Sequence, residues 1–262
     1  MKFQTCLLGL AALGASATAV ADTAYSTDFQ GGVGAEWSIS TFGGLGLDVA
    51  PADANRLFLG RNDGVNLGFS NDVVTLNLGG LAAHDKVTVS FDVYVINSWD
   101  GNGPLGNFCC GPDMFGVSLA DVTPGSATGL LTTFSNINAS ERPEVGATGA
   151  LQSYPQPFPN LPGSPAFSGA LEVGTLGYDF FLDGGGPGDD DSVYRISLTF
   201  DHTDSNLSLS FFGVGLQELT DESWGLDNVS VSLSAPAPVP LPAPALLLGS
   251  ALLGLGALRR RA

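Results

Sequence analysis

The chain has 262 residues, of which 26 are acidic and nine are basic, so its formal net charge is −17 at pH 7. This charge opposes binding to nucleic acids and anionic lipids, and it favours solubility and the binding of cations. Twenty of the acidic residues are Asp and six are Glu. Because Asp is typical of turns and calcium-binding loops, the bias predicts a loop-rich β protein in a medium that supplies divalent cations or salt.

The first 21 residues have the features of a secretory signal peptide. Met1 and Lys2 give a charged start, residues 6–13 are apolar, and an Ala-x-Ala sequence ends the segment at residues 19–21. These are the three parts of such a peptide. We expect cleavage after Ala21, which leaves residues 22–234 as the main domain of an exported protein.

This domain carries the period-two alternation of β-strands. Apolar and polar residues alternate in residues 86–96, 194–200, 206–211 and 229–233, and shorter strands are predicted at 37–42, 56–59, 65–69, 73–78, 114–119, 130–134 and 171–180. No helical stripe is convincing before residue 235. Ten or eleven strands with one polar face each predict an all-β fold: an antiparallel β-sandwich with jelly-roll topology.

Three long irregular segments separate the strands. They are residues 100–112, which are rich in Gly and Asn, residues 139–167, which contain six prolines, and residues 183–191, which contain four acids. Long loops on a rigid sandwich are the usual place for binding. We therefore expect a ligand site in or beside these loops.

The first of these loops contains residues suited to calcium. Asp100 and Asn102 begin it and Asp113 follows it, and calcium prefers six to eight oxygen ligands. The spacing is not that of an EF-hand, because Pro104 occupies the fifth position. The alternative is that these residues only form turns, and both interpretations remain open.

Residues 98–102, 111–113 and 221–229 resemble a pattern found in bacterial exported domains with a concanavalin-A-like or carbohydrate-module jelly roll. Residues 27–31 also resemble the first strand of such modules. In many of them, acids on the first and last strands hold a structural calcium ion. The resemblance therefore implies Asp227 and Asp28 as metal ligands, although Gln30 stands where those modules often have Glu.

Cys109 and Cys110 are the cysteines that remain after removal of the signal peptide. Their Cα atoms lie about 3.8 Å apart across a trans peptide bond, which is less than the roughly 4.4–6.8 Å of most disulfides. A disulfide between them is therefore strained, and it competes with two free thiols or an intermolecular bridge. No Cys or His adjoins the pair, which argues against zinc.

The sequence has no convincing catalytic constellation, so we expect no enzymatic activity. His84 and His202 are expected to be surface loop residues rather than general bases. Glu218 and Glu222 could share one strand face, as the catalytic acids of sandwich glycosidases do, but Asp221 would point the other way. A glycoside hydrolase is therefore the third of three functional hypotheses.

Trp99 and Trp224 lie in or beside loops. Exposed aromatic rings stack on sugar rings, so both residues are candidates for ligand binding. The alternative, which we favour, is that each indole caps one end of the sandwich core.

The end of the chain has three parts in a fixed order. Residues 235–244 alternate Pro with small residues and form an extended linker. Residues 245–262 begin with an apolar stretch and end with Arg259, Arg260 and Arg261. Residues 241–258, which include the last four residues of the linker, form an uncharged stretch of 18 residues. As a helix this stretch spans about 27 Å, close to the thickness of a bilayer core. We predict a transmembrane helix with its arginines in the cytoplasm.

Within the linker stand Val239, Pro240, Leu241, Pro242 and Ala243. This motif, followed by an apolar helix and an arginine cluster, closely resembles the VPLPA variant of the PEP-CTERM sorting tails of bacterial exported proteins. The resemblance implies that an exosortase-type membrane protease cuts near the motif and releases the protein or passes it to the cell surface. A simple C-terminal membrane anchor is the alternative.

Together these features predict an exported, surface-sorted, non-catalytic β-sandwich protein. It would lie transiently in the inner membrane and then at the cell surface or outside the cell. Its expected partner is an extracellular polysaccharide or another glycan, and its expected cofactor is Ca²⁺. The second hypothesis is a structural or adhesive matrix protein that binds protein or itself.

Overall fold

The computed structural model describes residues 21–40, 46–62, 67–102, 111–119, 129–137, 150–178 and 190–234. The predicted signal peptide up to residue 20, Cys109 and Cys110, and the predicted sorting tail lie outside these residues. None of the helices in the described stretches is long and apolar enough to cross a membrane.

The secondary structure of the described residues consists of strands and one short 3-10 turn at Asp53–Asn55, joined by turns and irregular segments. The strands are β1 (Ala21–Thr27), β2 (Trp37–Ser40), β3 (Asp48–Ala52), β4 (Arg56–Gly60), β5 (Val73–Gly79), β6 (Lys86–Asn97), β7 (Met114–Leu119), β8 (Leu130–Thr133), β9 (Glu172–Val173), β10 (Asp191–Asp201), β11 (Asn206–Val214) and β12 (Glu222–Ser234).

These strands pair into two antiparallel sheets. The seven-stranded sheet has the order β3-β4-β12-β6-β10-β9, with β1 paired to the C-terminal part of β12. The five-stranded sheet has the order β2-β5-β11-β7-β8. The predicted all-β fold with two antiparallel sheets is therefore confirmed.

The central strand β6 shows why the sheets pack face to face. Val87, Val89 and Phe91 are at most 1% exposed and belong to the main core, whereas Thr88 and Ser90 face the opposite side. Alternation of this kind gives each strand one face to bury and one to leave in water. Burial of each such Val or Phe side chain stabilises the fold by about 1.5–3 kcal/mol.

A second, smaller core lies on the outer face of the seven-stranded sheet. Tyr94 and Ile96 of β6 and Val193 of β10 are buried there against Phe58 of β4 and Leu176. This cluster covers the half of the outer face near the C-terminal end of β6. The other half, around Thr88 and Ser90, remains accessible to solvent.

Two predicted strands differ in the structure. Of the predicted strand 171–180, only Glu172–Val173 is extended within the described part. The chain then curls around the carboxylate of Asp191, which accepts hydrogen bonds from the backbone N–H groups of Thr175, Leu176 and Tyr178. The described part of 65–69 forms no strand, and Phe69 makes an isolated bridge with Trp224.

Two observed strands, β1 and β3, are absent from the sequence-based prediction. β1 ends where the carbohydrate-module resemblance placed a first strand at 27–31. That segment turns instead, because Asp28 Oδ1 accepts a hydrogen bond of 3.1 Å from the N–H of Gln30 and Phe29 has a φ of 55°. β3 contains Pro51 and lies at a sheet edge, where a strand tolerates proline.

Candidate functional site

Three buried carboxylates meet at one end of the sandwich. Asp100 follows the end of β6, Asp113 precedes β7, and Glu222 is the first residue of β12, which runs antiparallel to β6. One ligand oxygen from each lies within 4.8 Å of the others. Asp113 and Glu222 have no exposed surface, and Asp100 is 7% exposed. We call these three residues the acidic triad.

Hydrogen bonds from neighbouring residues bring the three strand ends together. The indole Nε1 of Trp99, beside Asp100, donates to the carbonyl oxygen of Ser223, beside Glu222, at 2.9 Å. The backbone N–H of Asp113 donates to the carbonyl oxygen of Gly101 at 3.0 Å. The triad is therefore positioned by a buried ring and by the sheet backbone.

Gln217 is the main hydrogen-bond donor to the triad. Its backbone N–H donates to Glu222 Oε2 at 2.6 Å, and its Nε2 donates to Glu222 Oε1 at 2.8 Å. The same Nε2 lies 3.4 Å from Asp100 Oδ2. The backbone N–H of Asp100 donates to Asp113 Oδ2. Both oxygens of Glu222 therefore accept a hydrogen bond.

Asp113 Oδ1 differs from these oxygens, because it is buried and has no hydrogen-bond partner. None of the ion pairs formed between described residues involves Asp113 or Glu222. A buried carboxylate oxygen without a donor or a nearby cation carries a large desolvation cost. Asp113 Oδ1 is therefore the oxygen of the triad that could most readily serve as a metal ligand.

Burial and nearby negative charges raise the pKa values of two carboxyl groups of the triad. Burial, followed by the charges of Glu222 and Asp100, raises the pKa of Asp113 far above its usual range. Burial also raises the pKa of Glu222, although the hydrogen bonds from Gln217 oppose that shift. Either protons or a cation can relieve the mutual repulsion of such a group.

Gly215 allows the segment that carries Gln217 to approach the triad. Its φ is +87°, and a Cβ at this position would lie 2.4 Å from the carbonyl oxygen of Pro112. That oxygen belongs to the residue before Asp113. A larger side chain would therefore push residues 215–217 away from the loop that supplies one of the three carboxylates.

The structure brings two predicted metal ligands, Asp100 and Asp113, into one group. Asn102 is not part of it: its Oδ1 accepts hydrogen bonds from Thr133 Oγ1 at 2.5 Å and from Ser153 Oγ at 2.7 Å. The amide of Asn102 therefore fixes the segment around residue 153 instead of facing the carboxylates.

Asp28 and Asp227, the ligands implied by the carbohydrate-module resemblance, also lie outside the triad. Asp28 is exposed in the turn after β1. Asp227 lies on the outer face of the seven-stranded sheet, where its Oδ2 accepts a hydrogen bond of 2.8 Å from the hydroxyl of Tyr94. Among the described residues, one group of three metal-ligating side chains is found, and it contains neither of them.

The prediction that Trp99 and Trp224 bind a ligand is corrected by their burial. Both side chains are 0% exposed. Trp224 packs against Phe69 and Phe115 with ring centroids 4.9 and 5.3 Å away, and its Nε1 donates to the carbonyl oxygen of Ser70. Neither ring is available to stack on a sugar, so the favoured alternative, a core position, is what the structure has.

A second candidate site is the uncovered half of the outer face of the seven-stranded sheet. Lateral pairing across β1, β12, β6 and β10 places hydroxyl side chains in two rows. One row is Ser26, Ser230, Ser90 and Ser197, and the other is Thr23, Ser232, Thr88 and Thr199. We call these eight residues the hydroxyl face.

All eight side chains of the hydroxyl face are uncharged, although the chain has 35 charged residues. Four of them are exposed and four are half-buried. Ser90 Oγ donates to Ser197 Oγ at 2.9 Å, and the hydroxyls of Thr88 and Thr199 are also 2.9 Å apart. Each hydroxyl can take part in further hydrogen bonds, so the face is a regular array of donors and acceptors.

Charged residues and a groove border this array. Arg195 forms a bidentate pair with Asp92, with both N···O distances at 2.8 Å. Asn228 Nδ2 donates to Asp92 Oδ2 at 2.9 Å. Beside Asn228, a cavity of about 360 Å³ is lined by residues 26–28 and 228–230, and this volume is within the range of ligand pockets.

The sequence alone does not identify Glu222 as a member of an acidic group, Gln217 as its hydrogen-bond donor, or the hydroxyl face as a surface. A signal for Glu222 does exist, since it stands two residues before Trp224 in the segment, residues 221–229, that resembles the carbohydrate modules. The hydroxyl face also has a signal: the polar positions of the alternating strands are Ser and Thr rather than Lys and Glu.

No protein-family model and no curated protein matches this chain. Among solved structures, the chain is similar to the N-terminal CBM22-1-CBM22-2 tandem domain of Xyn10C from Paenibacillus barcinonensis, with 15% sequence identity and a TM-score of 0.38. The similarity covers 86% of this chain and 50% of that one, so the chain spans half the length of the protein it matches.

Proposed function

We propose that the protein is an exported, non-catalytic jelly-roll module that associates with an extracellular polysaccharide through the hydroxyl face. The observation that carries this proposal is the double row of Ser and Thr side chains across four strands. Neighbouring strands lie about 4.7–4.9 Å apart, and alternate residues along a strand lie about 6.6–6.8 Å apart. A flat array of hydroxyls with these spacings presents hydrogen-bonding groups to an extended sugar chain.

The charge of the molecule specifies the kind of polysaccharide. The chain carries −17, and an acidic polymer would be repelled. The hydroxyl face is neutral, whereas the carboxylates of Asp92 and Asp227 lie at its border. Both carboxylates are buried and accept hydrogen bonds from protein side chains, so the Ser and Thr hydroxyls are the groups left to pair with a sugar. The favoured partner is therefore a neutral glycan whose end reaches the groove beside Asn228.

The two ends of the chain support export and sorting to the cell surface. The signal-peptide features of residues 1–21 support export, and the VPLPA motif with its apolar and arginine-rich continuation supports sorting to the cell surface by an exosortase-type protease. We also propose that the protein is not an enzyme. Glu222, the acid considered for a glycoside hydrolase, is completely buried and so is not placed to act on a sugar.

Affinity electrophoresis of the purified protein tests the hydroxyl face. Gels would contain dextran, a mixed-linkage β-glucan or alginate. We expect retardation by at least one of the neutral polymers and none by alginate. Ser197→Glu adds bulk and a charge to the middle of the face, and it should weaken binding by at least about 10-fold, equivalent to about 1.4 kcal/mol.

Ser38→Glu is the matched control, because Ser38 is an exposed strand residue on the five-stranded sheet. It should bind like the wild type. Equal binding by Ser197→Glu and the wild type would remove the hydroxyl face from the proposal. If neither neutral polymer retards the wild type, and sedimentation shows large assemblies without sugar, the matrix-protein hypothesis is favoured instead.

A further inference from the structure

We propose that Asp100, Asp113 and Glu222 bind one calcium ion, which joins the ends of β6 and β12 to the start of β7. The site is separate from the hydroxyl face and does not depend on the function proposed for it. Two of its carboxylates, Asp100 and Asp113, flank one loop, and the third, Glu222, comes from a distant part of the chain.

The geometry of the triad fits the size of the ion. Calcium–oxygen bonds are about 2.3–2.6 Å, so two ligands on opposite sides of the ion lie about 4.6–5.2 Å apart. The ligand oxygens of the triad lie within 4.8 Å of one another. Magnesium demands a near-ideal octahedral geometry, gives up its water ligands reluctantly and is seldom held in sites made of protein ligands alone. The buried carboxylates of the triad therefore favour calcium.

The hydrogen bonds of the triad leave room for a cation at Asp113. Asp113 is completely buried, and its Oδ1 has no donor. Gln217 supplies two hydrogen bonds to Glu222, which orient that carboxylate in the way that outer residues orient metal ligands. A buried carboxylate oxygen without a hydrogen-bond donor, beside a carboxylate held in a fixed orientation, is suited to bind a cation.

The ligand atoms of the triad determine which class of metal ion it favours. All three side chains are carboxylates, and oxygen-only sites bind hard cations rather than zinc or copper. Three carboxylates can supply up to six oxygens, which lies within the six to eight that calcium takes. Three negative charges also outweigh a double positive charge, so the ion removes most of the repulsion between the carboxylates.

Calcium titration of the purified protein tests the site directly. After treatment with chelator, we expect isothermal titration to give one calcium ion per chain and the melting temperature to rise. Magnesium at the same concentration should have a much smaller effect. Terbium should bind with luminescence sensitised by tryptophan, because Trp99 adjoins Asp100 and Trp224 lies two residues after Glu222.

The variant Asp113→Asn distinguishes a metal-binding role of the triad from a purely structural one. Loss of an outer residue typically lowers metal affinity by about 10–100-fold, so loss of a ligand charge should lower calcium affinity by at least about 100-fold. Without calcium, the variant should melt at the same temperature as the wild type or above it, because a neutral amide replaces a buried carboxyl group that two others crowd. A structural role alone would give a lower melting temperature and no change in calcium response.

Asp48→Asn is the control, since Asp48 is exposed on β3 and the amide can still accept the hydrogen bond from Val49 N–H. It should keep the calcium response of the wild type. The proposal is overturned if the wild type binds no calcium, if Asp113→Asn binds it equally well, or if magnesium stabilises the protein as strongly. Because the first and third results use only the wild type, the test stands even if the variant does not fold.

Discussion

The indole N–H of Trp99 donates a hydrogen bond of 2.9 Å to the carbonyl oxygen of Ser223. These residues are 124 positions apart in the sequence, and each stands next to a carboxylate of the acidic triad. The bond therefore explains why Asp100 and Glu222 meet although they belong to different strands. It also gives a buried tryptophan a role in building the site without contact with a ligand.

Replacement of Trp99 by Phe should destabilise the protein and weaken calcium binding together. The change leaves the carbonyl oxygen of Ser223 without its donor and creates a cavity, at a cost of about 1–3 kcal/mol. Chemical denaturation measures the loss of stability, and isothermal titration measures the affinity. Binding to a neutral polysaccharide should be unchanged in the folded variant, because the ring is 0% exposed.

Trp37→Phe provides the comparison. Trp37 is also a buried core residue, and its Nε1 donates to the hydroxyl of Tyr25 at 2.8 Å. Its replacement should lower stability by a similar amount and leave calcium affinity unchanged. If both variants lose calcium affinity equally, Trp99 has no special role in positioning the triad.

The sequence predicted the strands whose packing is visible in local alternation. In β6, for example, Val87, Val89 and Phe91 are spaced to face one side, and they do. The pattern fails for β9, where two residues pair with β10 before the backbone turns toward the carboxylate of Asp191. A long-range contact of this kind leaves no periodic pattern in the sequence from which it could be predicted.

The sequence predicts only two of the three residues of the acidic triad, because the third is brought to them by a long-range strand pairing. Asp100 and Asp113 flank one loop, so their proximity follows from a single connection. Glu222 reaches them only through the pairing of β12 with β6, which alternation alone does not determine. The hydroxyl face depends on the register of four strands, and a one-residue slip would remove it.

Gly215→Ala should both destabilise the protein and lower its affinity for calcium. The new methyl group would lie 2.4 Å from the carbonyl oxygen of Pro112, and the backbone has a φ of +87°. Relief of the clash should move Gln217 away from Glu222 and Asp100. Melting temperature and calcium affinity are the two measurements.

Gly80→Ala distinguishes the clash from backbone strain. Gly80 has a φ of +71°, and nothing lies within 4 Å of a Cβ at this position. Gly80→Ala should therefore show the backbone strain alone, about 1–2 kcal/mol, and normal calcium binding. Equal stability and equal calcium affinity in the two variants would contradict a steric role for Gly215.

Arg195→Met should destabilise the protein because it leaves a buried carboxylate without its cation. Asp92 has a side chain that is 4% exposed, whereas that of Arg195 is 60% exposed. We expect a loss of about 1–3 kcal/mol in the free energy of unfolding. The double variant Arg195→Met with Asp92→Asn should recover part of this loss, since no buried charge remains. A double variant less stable than Arg195→Met would contradict this account.

Asp227→Asn should change how stability depends on pH. Burial raises the pKa of Asp227 to about 6, and the negative charges of Asp92 and Asp28 add to the shift. The unfolded chain has the ordinary value of about 3.9, so the folded state binds the proton more tightly. The contribution of Asp227 to stability is therefore greatest below pH 4 and is lost as the pH rises through about 6.

The measurement is the difference in the free energy of unfolding between wild type and Asp227→Asn at pH 4, 5, 6 and 7. The variant has no titrating group at this position, so the wild type should become less stable relative to it as the pH rises across this range. Subtraction removes the titration of other groups that both proteins share. A difference that is constant across the range, or that grows in favour of the wild type toward pH 7, would show that burial does not set the pKa of Asp227.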